Sequence, residues 1–441
     1  MFAGAGAAVA FLTALSAAEV GTVESHGLQI APSLDLEGGA LAESRAGEQP
    51  LIPGQAPQAF VAELVTPLVG IELRRPTLSL DLSYAPRFYF EHPTPAGAST
   101  PLILHAAALA FRGLASREVT ITGTATGSFG KPDYNALSQA LGTAQGQLPP
   151  VVEEIGSVNG LVEMDAELAP RWLLLTTGQV FYWKWLNPGP TPPVVMAADG
   201  TILPLATSQI AFALAPGVTQ HLTERDDLAY VVTAGYADYS SGTKVLTLTP
   251  TFGWRTRLTR RDVLKLTLGA SYAQALGLTT NAAVRGANVS PVGSALLEGD
   301  LARYERTFVT GLVGTTVDYY LDPVLQVALP RGAFTLRVAA TVVPDWSVGL
   351  NGDFATALLR TPLPGNPDET TFTVTLPVRH RISSDLFAEL GVRWADRGPS
   401  LNAPEFAFHQ RQLWLYFSLT ATTIETARWG VPPPPNLLGP N

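Results

Sequence analysis

The feature that most constrains this chain is a strict alternation of apolar and polar residues that recurs along nearly its whole length. In residues 119–129, Val119, Ile121 and Phe129 alternate with Thr120 and Thr122. Because successive side chains of a β-strand point to opposite faces, the pattern predicts a strand with one apolar and one hydroxyl face. The same alternation returns in residues 77–84, 246–257, 264–272, 334–342, 371–379 and 413–420. One architecture therefore extends over most of the chain.

Composition limits the kinds of protein that this pattern can build. The 441 residues are 46% hydrophobic and 15% charged, yet no internal segment supplies the ~20 consecutive apolar residues of a membrane-spanning helix. Any membrane segment is therefore predicted to be a strand. The formal net charge of −9 argues against nucleic-acid binding, which requires a basic face. The absence of cysteine excludes disulfides and thiolate chemistry.

The connections between alternating segments are of two kinds. Short polar turns are predicted at 74–76, 116–118, 169–171, 223–227, 259–262, 344–345 and 383–385, with an eighth at Asp322-Pro323. Longer connections rich in Gly and Pro are predicted at 38–57, 92–101, 130–158, 186–205, 276–302, 360–369 and 397–404. Smaller loops near Ser241-Gly242 and Pro330–Gly332 are exceptions.

Tight turns on one rim and long loops on the other predict an all-β, up-and-down antiparallel transmembrane barrel, with its short turns in the periplasm. With a first strand near 27–37 and a last strand near 404–421, the strand count is about 18. If the extra hairpin in 303–343 belongs to a loop, the count is 16.

Aromatic residues favour a bilayer environment. Trp172, Trp254 and Trp346 lie near predicted short turns. A second group lies toward the long loops: Tyr182, Trp183, Trp185, Tyr239 and Trp394. Two such girdles are typical of strands that cross both headgroup levels. The alternative is a large soluble β-sandwich, which would leave open sheet edges.

On these features the chain resembles the bacterial outer-membrane porin-like β-barrels. The resemblance covers about residues 27–421 and includes the terminal strand Leu413 to Leu419, which is similar to the aromatic-rich last strand read by the barrel-assembly machinery of that class. It implies a transport role in the bacterial outer membrane. The string Arg87-Phe88-Tyr89-Phe90 resembles large barrels associated with exopolysaccharide export.

The two ends of the chain read differently from the barrel. Residues 1–18 are predicted to be a signal peptide with a cleavage context at Ser16-Ala17-Ala18, and the alternative is a buried N-terminal helix. Residues 27–421 are assigned to the barrel. Residues 422–441, which contain Pro432 to Pro435, are predicted to form a Pro-rich periplasmic tail.

The chain carries no recognisable catalytic motif. Its 6 histidines show no metal-ligand spacing, and the only Ser beside a His, Ser25 next to His26, lies outside any known nucleophile motif. No phosphate-binding Gly-rich loop is present. We therefore expect no enzyme activity, no cofactor and no metal.

The functional hypothesis rests on charges that the alternation points into the lumen. The predicted acidic residues are Asp35, Glu63, Asp81, Glu163, Asp165 and Glu167. The predicted basic residues are Arg255, Arg257, Lys265, Arg337, Arg379, Arg381 and Arg393. If closure sets an acidic side against a basic side, a transverse field crosses the pore. Alternatively, these are ordinary solvated charges paired with their neighbours.

Two functions follow from this reading. The first is an outer-membrane channel that passes polar solutes or an exported polysaccharide through a charged aqueous lumen, with membrane lipid as its surroundings. The second is a structural component of a secretion or surface-polymer export machine, which binds periplasmic export partners and has no pore activity of its own. A barrel hydrolase is the third class, and no residue pattern favours it.

Overall fold

The computed structural model describes residues 28–46, 58–92, 101–131, 154–186, 194–196, 202–204, 206–276, 287–304, 307–322, 327–358, 369–399 and 409–422. The segments 1–18 and 423–441, with the predicted signal peptide and nearly all of the predicted tail, lie outside these residues. Within the described ranges, no helix is long and apolar enough to cross a bilayer.

Strands make up almost all of the described chain. Their bounds are β1 (Leu28–Ala46), β2 (Gln58–Arg75), β3 (Leu78–Tyr84), β4 (Arg87–His92), β5 (Leu102–Leu114), β6 (Val119–Gly130), β7 (Ile155–Ala169), β8 (Trp172–Trp185), β9 (Val194–Met196), β10 (Ile202–Pro204), β11 (Ser208–His221), β12 (Asp226–Tyr239), β13 (Lys244–Arg257), β14 (Val263–Leu276), β15 (Ala287–Tyr304), β16 (Thr307–Asp322), β17 (Val327–Val343), β18 (Trp346–Ala357), β19 (Glu369–Arg381), β20 (Leu386–Pro399) and β21 (His409–Thr422).

These strands form one closed antiparallel barrel. Each wall strand pairs with the next wall strand along the chain, with β8 joined to β11, and β1 pairs with β21 from Ser33↔Thr422 to Ala46↔His409, which seals the sheet. Strands β3 and β4 both pair with β2 and with β5, so they are two halves of one wall strand, interrupted at Ala85-Pro86. β9 and β10 form a separate small hairpin. The wall therefore has 18 strands, as predicted, and the alternative of 16 is wrong.

The two rims differ in the way the sequence predicts. Seven of the predicted short turns are confirmed on one rim, and the small loop near Ser241-Gly242 is confirmed on the other, between Tyr239 and Lys244. The eighth short turn is not at Asp322-Pro323. β15 continues to Tyr304 and β16 begins at Thr307, so the short connection falls there and Asp322 ends β16 at the opposite rim. Likewise, Pro330–Gly332 lies within β17 and is not a loop.

The first strand is longer than the sequence indicates. Residues 38–46, predicted to begin a long loop, continue β1: residues 38–43 pair with both β2 and β21, and residues 44–46 pair with β21. Gly38-Gly39 suggests a loop in the sequence, but in the structure Gly39 serves the seam of the barrel. It lies directly opposite Tyr416, which also lies directly opposite Gly391 on its other side.

Gly39 and Gly391, on either side of Tyr416, leave the space that the side chains of the last strand occupy. A Cβ on Gly391 would collide with the ring of Tyr416, and one on Gly39 would collide with the Leu415 carbonyl and approach Trp414 Nε1. Both glycines therefore make room for the large side chains of the last strand. Trp414 and Tyr416 are buried there together with Leu64, Tyr89 and Leu102.

Candidate functional site

The wall separates two environments, and β21 shows this most clearly. Leu413, Leu415 and Phe417 are 49%, 51% and 52% exposed, whereas the intervening Trp414 and Tyr416 are 4% and 3% exposed. The exposed apolar residues recur on the outer face of the other wall strands, including Tyr230, Leu268 and Val289. A closed sheet leaves no unpaired edge, and an apolar outer surface on such a sheet is a lipid-facing surface. An even strand number is the rule in bacterial outer-membrane barrels, so the bacterial outer membrane is the location of this one.

Girdle aromatics mark the two ends of the outer face. Trp172, Trp254 and Trp346 are about two-fifths exposed next to short turns, and Tyr182 and Trp394 are similarly exposed toward the long-loop rim. The prediction is wrong for Trp183, Trp185 and Tyr239, which are buried on the inner face. Trp183 donates a hydrogen bond from Nε1 to Gln209 Oε1 at 2.9 Å, which satisfies its indole inside the barrel.

Strand register places the predicted lumen residues. Directly opposite residues in an antiparallel pair share a face, so each side chain can be traced to a buried neighbour. Twelve of the predicted residues lie on the inner face by this criterion: Asp35, Asp81, Glu163, Asp165, Glu167, Arg255, Arg257, Lys265, Arg337, Arg379, Arg381 and Arg393.

Glu63 is the exception, and its inward assignment is a wrong prediction. It shares a face with the exposed Val61, Val69 and Ile71, and it is itself exposed. It lies opposite Phe90, near the end of β4 at the long-loop rim, where a carboxylate on the outer face reaches water. The inner face of β2 carries the buried Leu64 instead. Both faces of β2 are apolar, so a charge alone does not identify the inner one.

Sequence reasoning also missed several inward charges. These are Glu37, Arg112, Asp227, Glu298, Asp353 and Glu389. The alternation of the sequence contains the signal for two of them. Glu389 has the same parity as Arg393 on β20, and Asp353, which lies opposite Thr335, has the parity opposite to that of Leu350 and Phe354 on β18. Glu37 and Asp227 lie in residues that the sequence assigns to a strand end and a turn.

Many of the inward charges are paired locally. Asp227 binds His221 Nδ1 at 2.6 Å through one oxygen and Arg255 at 3.4 Å through the other. Lys265 lies 3.3 Å from Glu298. At the seam, closure sets Asp35 close to the charges of Glu389, Arg87 and Arg379. The acidic and basic groups are therefore mixed at the seam, and the prediction of one acidic side opposite one basic side is too simple there.

Two groups of inward charges lie apart from these local ion pairs, on opposite sides of the barrel. Glu163 and Asp165 on β7 act on each other electrostatically, and no cation contacts them among the described residues. Arg337 on β17 likewise has no ion pair within the part of the chain that the structure describes. With β3 and β4 counted as one strand and β9 and β10 left out, β7 is the sixth wall strand and β17 the fourteenth. Eight strands out of 18 place these two groups on opposite sides of the barrel.

The inner surface also has a part that is covered. We call the buried inner-face residues of β12–β15 the covered wall. Val231, Val245, Thr247, Thr249 and Ser271 are all less than 9% exposed, and the exposed Arg255 and Arg257 nearer the short turns are not part of it. We call the inner-face residues of β6 and β7 the open wall, where Thr124 and Thr126 are exposed and Glu163 and Asp165 are half-buried. Both walls show the same alternation in the sequence.

The end of the β16–β17 hairpin accounts for part of this cover. Pairing of β15 with β16 stops at Val317, and the hairpin continues beyond it toward β13 and β14. Tyr319 packs against a buried cluster on the covered wall, formed by Ala237, Tyr239, Val245 and Ala273 with Ala206. Its hydroxyl lies 3.1 Å from Thr247 Oγ1. The hairpin therefore bends into the barrel at the long-loop rim and covers part of the inner surface there.

Comparison with known proteins gives structural similarity only. No protein-family model and no curated protein matches the chain. Among solved structures, Pseudomonas aeruginosa OpdO is 12% identical, with a TM-score of 0.43, over 90% of this chain and 98% of that one. OccK2 (OpdF) of the same organism is 11% identical, with a TM-score of 0.43, over 89% and 98%. The outer membrane protein opdK is 10% identical, with a TM-score of 0.43, over 89% and 99%.

Proposed function

We propose that this barrel is a diffusion channel for small polar solutes, with a path that runs along the open wall. A wall of 18 strands encloses a lumen too wide for its own side chains to fill. The covered wall and the inward hairpin reduce that lumen on one side, which leaves the exposed hydroxyls of Thr124 and Thr126 beside the path. A narrowed mouth favours small solutes over a polysaccharide chain.

The observation that carries the proposal is the opposed pair of charge groups on the inner face. Glu163 and Asp165 have no cationic partner among the described residues, and Arg337 has no anionic one. Charges that are not neutralised by neighbours act on ions that pass them, whereas paired charges largely cancel. Selectivity is therefore expected to depend on these groups more than on the paired Lys265 and Arg255.

Planar-bilayer recording tests the proposal. We expect the purified protein to conduct, and Glu163→Gln with Asp165→Asn to lower the permeability of K⁺ relative to Cl⁻. The triple variant Arg337→Ser with Arg379→Ser and Arg381→Ser should raise the permeability of K⁺ relative to Cl⁻. In water a unit charge ~8 Å from the ion path changes the energy of K⁺ by ~0.5 kcal/mol and that of Cl⁻ by the same amount in the opposite direction. Each charge removed therefore changes the K⁺ to Cl⁻ ratio up to about fivefold at low salt.

Thr124→Ser with Thr126→Ser is the matched control, because it alters the same wall without changing charge. Its selectivity should equal that of the unmodified protein. A folded, inserted barrel that never conducts would contradict the channel and favour a structural role in an export assembly. If the protein conducts but neither the Glu163/Asp165 variant nor the arginine variant changes its K⁺ to Cl⁻ ratio, the opposed charges do not determine selectivity.

A further inference from the structure

The short-turn rim carries arginines at regular intervals around nearly half of the barrel. Arg75, Arg117, Arg171, Arg225 and Arg260 lie at successive short connections, from the turn after β2 to the turn after β13. All five are exposed, and none of them makes an ion pair within the described residues. Beyond this arc, the described connections between β17 and β18 and between β19 and β20 carry Asp345 and Asp385 instead.

The turns that hold these arginines are fixed by backbone hydrogen bonds. The Arg171 carbonyl accepts from His221 N–H at 2.9 Å, and the Arg225 carbonyl accepts from Arg257 N–H at 2.9 Å. The Thr77 and Glu118 carbonyls accept in the same way from Leu114 and Glu167. Each of these four turns is thus tied to the end of a strand in the following hairpin. The backbone positions of the arginines in these turns are set by this framework.

Carboxylates in the same turns separate the five arginines into two groups. Glu118 and Glu224 are exposed beside Arg117 and Arg225, so those two turns have no net positive charge. The turn of Arg260 contains a second arginine, Arg261, and one carboxylate, Asp262, so its own residues carry one net positive charge, and Arg261 pairs with Asp300 of β15 at 2.8 Å. The turns of Arg75 and Arg171 contain no carboxylate. Counted over their own residues, the turns of Arg75, Arg171 and Arg260 are therefore the ones with a net positive charge.

Each of these three arginines lies beside an exposed apolar side chain. Arg75 is directly opposite Leu78, which is 38% exposed on the same outer face. Arg171 precedes the girdle residue Trp172, and Arg260 follows Leu258, which is 52% exposed. Tryptophan in a girdle lies at headgroup level, so the neighbouring turn is at the depth of lipid phosphates. At this depth a guanidinium group can contact a lipid phosphate while the apolar side chain beside it contacts the acyl chain of the same lipid.

From this arrangement we infer that Arg75, Arg171 and Arg260 each bind the phosphate of an anionic phospholipid in the periplasmic leaflet. The inference rests on the membrane location of the barrel and is independent of whether the barrel conducts. Four strands separate one charged turn from the next, which is about 20 Å at the usual strand spacing. Each arginine therefore holds a separate lipid, and the neutral turns of Arg117 and Arg225 lie between them.

Native mass spectrometry of the full-length barrel tests this, with the protein extracted from vesicles of equal phosphatidylglycerol and phosphatidylethanolamine. We expect phosphatidylglycerol to be retained in preference. A cation near a charged bilayer contributes about 1 kcal/mol, which corresponds to about fivefold in affinity. The variant R75Q/R171Q/R260Q should therefore lose about fivefold of this preference at each site, and R75K/R171K/R260K should keep most of it.

The chain supplies its own control. R117Q/R225Q removes exposed arginines from the same rim and should leave the lipid preference unchanged, as should K184Q/K244Q at the opposite rim. Equal retention of the two lipids by the unmodified protein, or an equal loss in R117Q/R225Q, would overturn the inference. Displacement of the lipid by excess inorganic phosphate would overturn it too, since it would make these free-anion sites. A changed K⁺ to Cl⁻ ratio with unchanged lipid retention would instead assign the arginines to the exit of the lumen.

Discussion

The covered wall and the open wall are built from the same sequence pattern but meet different surroundings. Thr247 and Thr249 on the covered wall are 8% and 6% exposed, whereas Thr124 and Thr126 on the open wall are exposed. All four are inward threonines in strands that alternate with apolar residues. Alternation therefore determines which face a residue occupies, and contacts from across the barrel determine whether that face meets water.

The difference also shows in the hydrogen bonds. On the covered wall, Thr249 donates to Ser271 at 2.8 Å, and Thr247 lies within hydrogen-bond distance of Tyr319, 72 residues away in sequence. A buried hydroxyl needs such a partner, because an unsatisfied one costs about 1–3 kcal/mol. On the open wall, water can serve as that partner. Substitutions should therefore cost more on the covered wall than on the open wall.

The largest effect is expected for Tyr319→Ala, which removes the contact between the hairpin and the covered wall. Loss of a large aromatic side chain from a packed cluster costs about 3 kcal/mol, and it should also widen the mouth. We expect a lower free energy of unfolding in urea and a higher single-channel conductance. Tyr182→Ala, at the same rim but on the lipid face, is the control and should leave conductance unchanged. If Tyr319→Ala conducts like the unmodified protein, the hairpin does not narrow the path.

An intermediate effect is expected for Ser271→Leu, which forces a larger side chain into the covered wall. Ser271 is 1% exposed, so the added methyl groups have no free space, and overpacking of this kind costs about 2 kcal/mol. The matched change on the open wall is Thr126→Leu, for which we expect a loss below about 0.5 kcal/mol. Urea titration of both variants measures the contrast. Equal losses would show that the two walls are not different environments.

The smallest effect is expected for Thr249→Val, which keeps the side-chain shape and removes one hydroxyl. Ser271 would lose its donor at 2.8 Å, and we expect a cost of about 1 kcal/mol. Thr124→Val, with its hydroxyl exposed to the lumen, should leave the free energy of unfolding nearly unchanged. The comparison is sharpened if adding Ser271→Ala to Thr249→Val recovers part of the loss, because both partners of the buried bond are then removed.

Strand positions, the strand number and the inner or outer face of most charged residues could be predicted from alternation. The pattern succeeds because lipid on one side and the lumen on the other impose a period of two on every strand. It fails for Glu63, since β2 buries apolar residues on its inner face against Trp414 and Tyr416. A strand from the far end of the chain supplies that contact, and local sequence does not reveal it.

The covered wall could not be predicted for a related reason. The register of β16 and β17 shows that the hairpin extends past its neighbours, but its bend toward Thr247 is a tertiary contact. In the sequence, Asp322-Pro323 and Pro330–Gly332 look like turn signals, which obscured a continuous pair of strands. The opposed charges were recognisable as inward residues. Their pairing at the seam depends on closure between residues at opposite ends of the chain.

The row of Gly39, Tyr416 and Gly391 has a consequence for how the barrel is completed. The last strand must locate the first across nearly the full length of the chain, a slow search in which neighbouring alignments compete. An alignment shifted by two residues keeps every side chain on its proper face, so polarity cannot reject it. It would, however, bring Tyr416 opposite Glu37 or Leu41 in place of a glycine. Tyr416 thus selects the register in which the last strand joins the first, because its ring fits opposite Gly39 and not opposite the larger residues on either side.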